Sequence, residues 1–379
     1  MGEYGIGQSV PREEDPYLVR GLGRYVDDVT LPGQLRGYVL RSPHGHARIK
    51  SIDPSAAEAM PGVHLVLTGQ HEAIRSLGMQ KPLVPRKKAD GTPAPAAPQP
   101  ALARERVMFV GDPVAFVVAE TLNEAKDAAE AIAVDYEVLP AAVTIEEALK
   151  PDAPQLWDFY PGNRGFVFQL GDKAAVDAAF ARAAHVTRHR MVINRITTNS
   201  IEPRGCIAEY DARDDRITLR CTVQGPHTIR RALANEVLKV PENKVRVLSE
   251  NVGGGFGMKG GLYNEYICCV AAARVLGRPV KWIGERSESL LADDHCRDNI
   301  TEAELALDGN AKFLALKVKT YVSIGAYFTT DRPAGPATVN TGVLAGTCAG
   351  VRQVLRTGAP PARPQTKPEK SSPASCMAR

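Results

Sequence analysis

No two cysteines in this chain are spaced C-x-x-C; the seven, Cys206, Cys221, Cys268, Cys269, Cys296, Cys348 and Cys376, are scattered. That excludes a zinc ribbon or a cysteine-held iron–sulfur cluster encoded in the chain itself. An odd, dispersed set fits a reducing compartment better than a disulfide scaffold. Long apolar runs are lacking too, so no stretch reaches bilayer-spanning length. Met1-Gly2-Glu3-Tyr4 has neither a basic nor an apolar leader region, and the expectation is a cytoplasmic protein. There is no excess of one charge over the body of the chain. The formal net charge of +4 lies in the stretch from Ala349 onward, where six basic residues face only Glu369. The remainder is close to neutral, which argues against a nucleic-acid surface. A Walker A loop is also missing, because Lys259 follows Met258 rather than Gly and precedes Gly260 rather than Ser or Thr.

What is abundant is glycine, and it is concentrated in one place. Gly253-Gly254-Gly255-Phe256-Gly257-Met258-Lys259-Gly260-Gly261 has six glycines in nine positions. The strand-like Val245-Arg246-Val247-Leu248 precedes it and a helix-like segment over 263–276 follows. Such a turn can reach φ > 0 and lets a ligand approach bare backbone N–H groups. A flexible linker would be glycine-rich as well, but would not be flanked by apolar elements with a Phe inside the run.

In chain order, residues 1–17 form a polar N-terminal arm, read as extended, and 18–140 form a first domain of short strands and turns. Val114–Ala119 is a buried strand by its continuous apolar run. Thr121-Leu122-Asn123-Glu124 is a capping box that opens a helix over 122–133. The proline-rich 80–100 reads as a surface loop, and 141–165 as a linker with little periodicity. The second domain, 166–347, contains a helix near 174–184 and strands at 185–194, 206–210, 216–223 and 280–284. Another helix starts at Pro226, and long alternating segments at 300–307 and 312–323 are joined by an Asp308-Gly309 hairpin turn. From 348 to 379 no period survives and prolines accumulate. This tail reads as disordered, or more sharply as an out-of-frame translation.

Spacing alone leaves one chemistry open. Gly255-Phe256-Gly257-Met258-Lys259-Gly260 satisfies G-x-G-x-x-G between a strand and a helix, with Glu285 near where a ribose-binding acid would lie. An NAD(P)-binding domain built on the Gly255–Gly260 loop is therefore an alternative. Against it stand the motif's position deep in the chain and the absence of a surrounding βαβ series.

Several segments taken together carry a second reading. They are Tyr25-Val26-Asp27-Asp28, the stretch from Arg41 to Ile49 with Ser42-Pro43-His44-Gly45-His46, Val110-Gly111-Asp112-Pro113-Val114, Glu202-Pro203-Arg204-Gly205, Gln224-Gly225-Pro226-His227, Gly253-Gly254-Gly255-Phe256-Gly257 and Glu285-Arg286. In this order they resemble the molybdopterin-binding large subunit of the xanthine dehydrogenase family, and within it the branch related to aerobic carbon monoxide dehydrogenases. The resemblance implies an α+β chain: an N-terminal α/β hammerhead domain followed by an incomplete molybdenum-cofactor-binding α+β domain. It implies that the Gln224 amide approaches an oxygen ligand of molybdenum, that Gly254, Gly255 and Gly257 face the cofactor, and that Phe256 walls the metal. The implied cofactor is molybdenum–molybdopterin in its cytosine dinucleotide form. The implied reaction is oxidative hydroxylation of a small substrate, with electrons passed to an iron–sulfur small subunit and an FAD-binding medium subunit. Glu202 with Arg204 is expected as a structural ion pair, His227 as a helix-start contact, and no metal role is expected for His44 or His46. Family members run to about twice this length, and the resemblance stops at Thr347. No catalytic residue is assigned, since the base glutamate is expected in the other half, and the expectation is a fragment without turnover of its own. A non-catalytic subunit-docking fragment is the remaining alternative.

Overall fold

In the computed structural model the chain is described at Gly7 and at residues 9–82, 91–165, 168–329 and 351–357, with 168–170 and 351–357 as backbone only. The strands in chain order are β1 Leu35–Arg41, β2 Ala47–Asp53, β3 Val63–Thr68, β4 Arg106–Val107, β5 Pro113–Ala119, β6 Ala133–Val138, β7 Phe168–Gly171, β8 His185–Ile196, β9 Gly205–Asp211, β10 Arg216–Cys221, β11 Val245–Leu248, β12 Val280–Ile283, β13 Cys296–Leu307, β14 Phe313–Val322 and β15 Val351–Thr357.

Seven of them form one sheet in the order β11-β10-β9-β12-β1-β5-β3. The expected boundary at residue 140 is therefore not a break in the sheet. β1 from the first segment runs parallel to β12 from the second, with Leu35 opposite Val280 and Leu35 N–H donating to the Pro279 carbonyl at 2.8 Å. β5 shows why the sheet is two-faced. Phe116 and Val118 point into one core with Leu35, Leu67, Tyr266 and Trp282, while Ala115, Val117 and Ala119 meet Ala125, Ala128 and Ala129 of the helix Leu122–Glu130. All seven β5 residues are buried, as a continuous apolar strand requires. The capping box at Thr121 and Glu124 is formed, and that helix stops at Glu130, three residues short of its expected end.

The opposite face is covered by the helix Asn264–Leu276, whose residues from Asn264 to Ala273 are all buried. Tyr266 to Ala273 are apolar around the whole helix, as a helix inside a core requires, and the helix ends in a left-handed Gly277 with φ 62°. β2, β4 and β6, all from the first segment, form a small three-stranded sheet in the order β4-β2-β6. A five-stranded sheet, β7-β15-β14-β13-β8, carries the helix Lys173–Ala181 on Ala306 and Ala315.

Four local expectations change. Asp15–Leu18 of the arm is a helical turn rather than extended, and Asn251 Nδ2 donates to the Tyr17 hydroxyl at 2.8 Å. The linker holds a short helix, Ile145–Ala148, opened by its own Thr144–Glu147 capping box. The hairpin after β13 is a five-residue loop in which Asp308 Oδ1 accepts from Asn310 and Lys312 N–H, with Ala311 left-handed at φ 62°. Within the tail, Val351–Thr357 pairs antiparallel with β14 and parallel with β7; Val351, Val354 and Leu355 give that short stretch strand propensity which the flanking prolines obscure. The rest of the tail, and residues 83–90 of the proline-rich loop, lie outside the described residues.

Candidate cofactor site

The glycine run follows β11 at the edge of the seven-stranded sheet. Gln224, three residues past the end of β10, is held against it: the Gln224 N–H donates to the Lys259 carbonyl at 2.9 Å, and its side-chain Oε1 accepts from Gly257 N–H at 2.8 Å. A backbone N–H can only donate, so the atom facing Gly257 must be the amide oxygen, which leaves the NH2 as the donor end of the side chain. Gly255 makes this approach possible. A Cβ there would stand 2.6 Å from Gln224 Oε1 and 2.7 Å from its Cγ and Cδ.

Gly254 and Gly257 take φ of 94° and 91°, which L side chains rarely adopt. Between them Phe256 is itself left-handed at φ 49° with 72% of its surface exposed. A bulky residue in this conformation carries strain of about 1–2 kcal/mol, a cost tolerated at binding sites. Nothing lies within 4 Å of where a Cβ on Gly257 or Gly260 would stand. Sequence and fold thus bring together Gln224, Gly254, Gly255, Phe256 and Gly257: an amide fixed through its oxygen, bare backbone and an exposed aromatic ring.

Beneath the loop the sequence-expected pair does not form. Glu202 binds Lys259 instead, with Nζ at 3.0 Å from Oε2, and Arg204 turns into the core to Glu265 and Asp293. Arg204 Nε reaches Asp293 Oδ1 at 2.6 Å, and its Nη1 and Nη2 reach Glu265 Oε2 and Oε1 at 2.8 and 3.1 Å. Arg204 is fully buried and Glu202 only partly so, each with its own partners, so their proximity in sequence is misleading. Arg41 Nη2 joins the same network, 2.6 Å from both Glu265 Oε1 and Glu288 Oε1. Burial pushes the Glu265 carboxyl up, but Arg204 and Arg41 override it and hold its pKa at about 2. Burial raises the carboxyls of Glu288 and Asp293, which their arginines only partly counter. Tyr263 lies 3.7 Å from the Arg204 guanidinium, and its hydroxyl donates to the Met258 carbonyl at 2.8 Å, tying the network to the loop.

Other singled-out residues sit elsewhere. Arg286 donates to Asn199 Oδ1 and to the Ser200 and Ile201 carbonyls, whereas Glu285 pairs with Lys126. His227 is exposed near the start of the helix Pro226–Ala232 and lines a surface depression with Arg216, Arg230 and Arg246. His46 Nδ1 lies 3.0 Å from the Pro140 carbonyl and His44 packs edge-on to Tyr136. Among the described residues no group of three or more His, Cys, Asp or Glu side chains is placed to hold a metal ion. Cys206, Cys221, Cys268 and Cys269 are buried free thiols, and burial raises the pKa of the last three. Sequence reasoning missed Lys259 and Tyr263 as loop supports, and nothing in the local pattern singles them out.

The dinucleotide alternative fares poorly on this geometry. β11 and β12, the strands before and after the helix Asn264–Leu276, are separated by β10 and β9 rather than adjacent. The first turn of that helix holds the buried Glu265 carboxylate where a pyrophosphate would have to sit.

Residues 20–140 match the model of the aldehyde oxidase and xanthine dehydrogenase a/b hammerhead domain, and 158–346 that of the molybdopterin cofactor-binding domain. The chain belongs to the xanthine dehydrogenase family of molybdopterin-binding large subunits. Among its relatives, the carbon monoxide dehydrogenase large chain of Afipia carboxidovorans is 39% identical over 335 residues, 85% of this chain and 40% of that one. The nicotinate dehydrogenase large molybdopterin subunit of Eubacterium barkeri is 30% identical, over 88% of this chain and 73% of that subunit. In structure, quinoline 2-oxidoreductase from Pseudomonas putida 86 superimposes with a TM-score of 0.80 at 34% identity, over 94% of this chain and 45% of that one. The chain therefore spans about 40% of the carbon monoxide dehydrogenase large chain it resembles. For this family member the α+β architecture, hammerhead followed by cofactor-binding domain, is the expected one.

Proposed function

We propose that the chain supplies one wall of a molybdenum–molybdopterin site in an oxidative hydroxylase acting on a small substrate. The observation that carries this is the Gln224 amide, whose oxygen is committed to Gly257 N–H, leaving its NH2 as the group that can donate. An amide suits such a place because it donates a hydrogen bond without bringing charge or competing as a ligand. The bare backbone at Gly254, Gly255 and Gly257 lets a large planar group come close, and the exposed Phe256 ring is available to exclude water once covered. When bound, the cofactor supplies the two-electron oxidation chemistry. This chain's residues bind and orient it, and no catalytic residue is assigned among them. In this reading the cofactor is the cytosine dinucleotide form, electrons leave to an iron–sulfur small subunit and an FAD-binding medium subunit, and the protein works in the cytoplasm.

Thermal stability measured with two ligands tests it. Oxidised molybdopterin cytosine dinucleotide is expected to raise the melting temperature of the chain in a concentration-dependent way, and NADH to leave it unchanged. Stabilisation by NADH with none by the pterin dinucleotide overturns the proposal and favours the nicotinamide reading. Co-purification with the iron–sulfur and FAD subunits tests the partners separately.

A further inference from the structure

Lys259 is completely buried, although most of the glycine run around it is partly or fully exposed. Its Nζ lies 3.0 Å from Glu202 Oε2 and its carbonyl accepts the Gln224 N–H. The same Glu202 oxygen accepts from Gly253 N–H at 2.7 Å, and Glu202 N–H donates back to the Gly253 carbonyl at 3.1 Å. One carboxylate thus grips the first residue of the run and, through the ammonium, the seventh. Gly253 fits this grip because a Cβ there would stand 2.5 Å from Glu202 Cβ. Glu202 is in turn fixed from below: Ser200 Oγ donates to its carbonyl at 2.7 Å, and Arg286 holds the Ser200 and Ile201 carbonyls.

The arrangement is not what stability alone would favour. Glu202 Oε1 is buried and meets no donor among the described residues, while Oε2 is used twice. A buried oxygen left without a donor carries a desolvation penalty, and a buried ion pair is weak evidence for stability. Geometry is the remaining reason to keep it.

We propose that Glu202 and Lys259 are a positioning pair that closes the glycine run and sets the placement of Gln224 and Phe256. This rests on the reading of the run as a cofactor wall, which it deepens. Neither side chain is a catalytic residue; both act through the backbone they hold.

Hydrogen exchange on the 379-residue chain without ligand tests the pair. In Glu202→Gln and Lys259→Met, amides of 253–258 are expected to exchange roughly five- to tenfold faster, with β9 and β12 unchanged. The double variant E202Q/K259M leaves no uncompensated buried charge, so its melting temperature is expected to return close to that of the parent while the loop stays fast-exchanging. Recovery of loop protection together with stability in the double variant overturns the proposal, because the pair would then serve only to neutralise itself. Unchanged exchange in both single variants overturns it as well, and so does loss of folding in all three variants, which would make the pair part of the core. The readout needs no cofactor. A chain that fails to bind the pterin dinucleotide yet shows this exchange pattern counts against the proposed function alone.

Discussion

Replacing Arg204 by Met removes a guanidinium that is only 1% exposed and leaves a side chain of similar reach. Three hydrogen bonds, at 2.6, 2.8 and 3.1 Å, disappear with it, as does its stacking 3.7 Å from the Tyr263 ring. Glu265 keeps Arg41, but Asp293 loses the cation it pairs with. Breaking a buried pair from one side costs about 3–5 kcal/mol, since a carboxylate is left desolvated without its counter-charge. Against a total stability of about 5–15 kcal/mol this is a large share. With a urea slope of about 3 kcal/mol/M, the unfolding midpoint is expected to fall by roughly 1–1.7 M. Adding Glu265→Gln should recover part of the loss, giving a coupling of about 0.5–3 kcal/mol between neighbours in one network. A midpoint within about 0.3 M of the parent, or strictly additive losses in the double variant, would falsify the claim that this network is energetically connected.

Three further outcomes follow from the same contacts. Glu265 has its folded pKa held at about 2, below its ordinary value near 4.5, so its contribution of about 3 kcal/mol is present above pH 4.5 and is lost as pH falls towards 2. The raised carboxyls of Glu288 and Asp293 act in the opposite sense, so the net loss is smaller; urea midpoints at pH 7, 4.5 and 3 should fall, and an equal fall in Arg204→Met would count against the assignment. Gly255→Ala places a Cβ 2.6 Å from Gln224 Oε1, so the amide must swing off Gly257 N–H; about 1 kcal/mol of stability and roughly tenfold in pterin dinucleotide affinity are expected to go, and unchanged melting and binding would refute this. Phe256→Gly should raise stability by up to about 1 kcal/mol by relieving a left-handed backbone, while weakening ligand binding; a clear loss of stability would show that the exposed ring packs usefully.

Much of the site was legible because its conformational demands are local. A glycine run between a strand and a helix, and a Gln-Gly-Pro opening of another helix, each announce their backbone geometry, and the fold brings them within 2.8 Å of one another. Partner choice among charges was not legible. Glu202 and Arg204 look paired two residues apart, yet Arg204 finds Glu265, 61 residues away, and Glu202 finds Lys259, 57 away. Residues 201–204 lie in a bend ahead of β9, so no strand period fixes where their side chains go, and only the assembled fold decides which acid each base meets. The left-handed Phe256 was equally hidden, because strain is imposed by surroundings rather than by the residue. The capping box before Leu122–Glu130 was read correctly, whereas the similar Thr144–Glu147 box was overlooked inside a stretch whose prolines suggested a linker.

The pairing of β1 with β12 also has a consequence for biosynthesis. Leu35 and Arg36 find their ladder partners at Val280 and Lys281, so the middle of the sheet cannot close until 245 further residues (280 − 35) have been made. At roughly 5–20 residues per second, the ribosome needs on the order of 10–50 s to travel from one strand to the other. From the emergence of β5 until that of β12, β1 has β5 on one side and an open edge on the other, a surface that invites pairing with a neighbouring nascent chain. Arrival of the segment that carries the glycine run is thus also what seals the first-made strands, and a chain stalled before Ile283 is left with its earliest β-edge exposed.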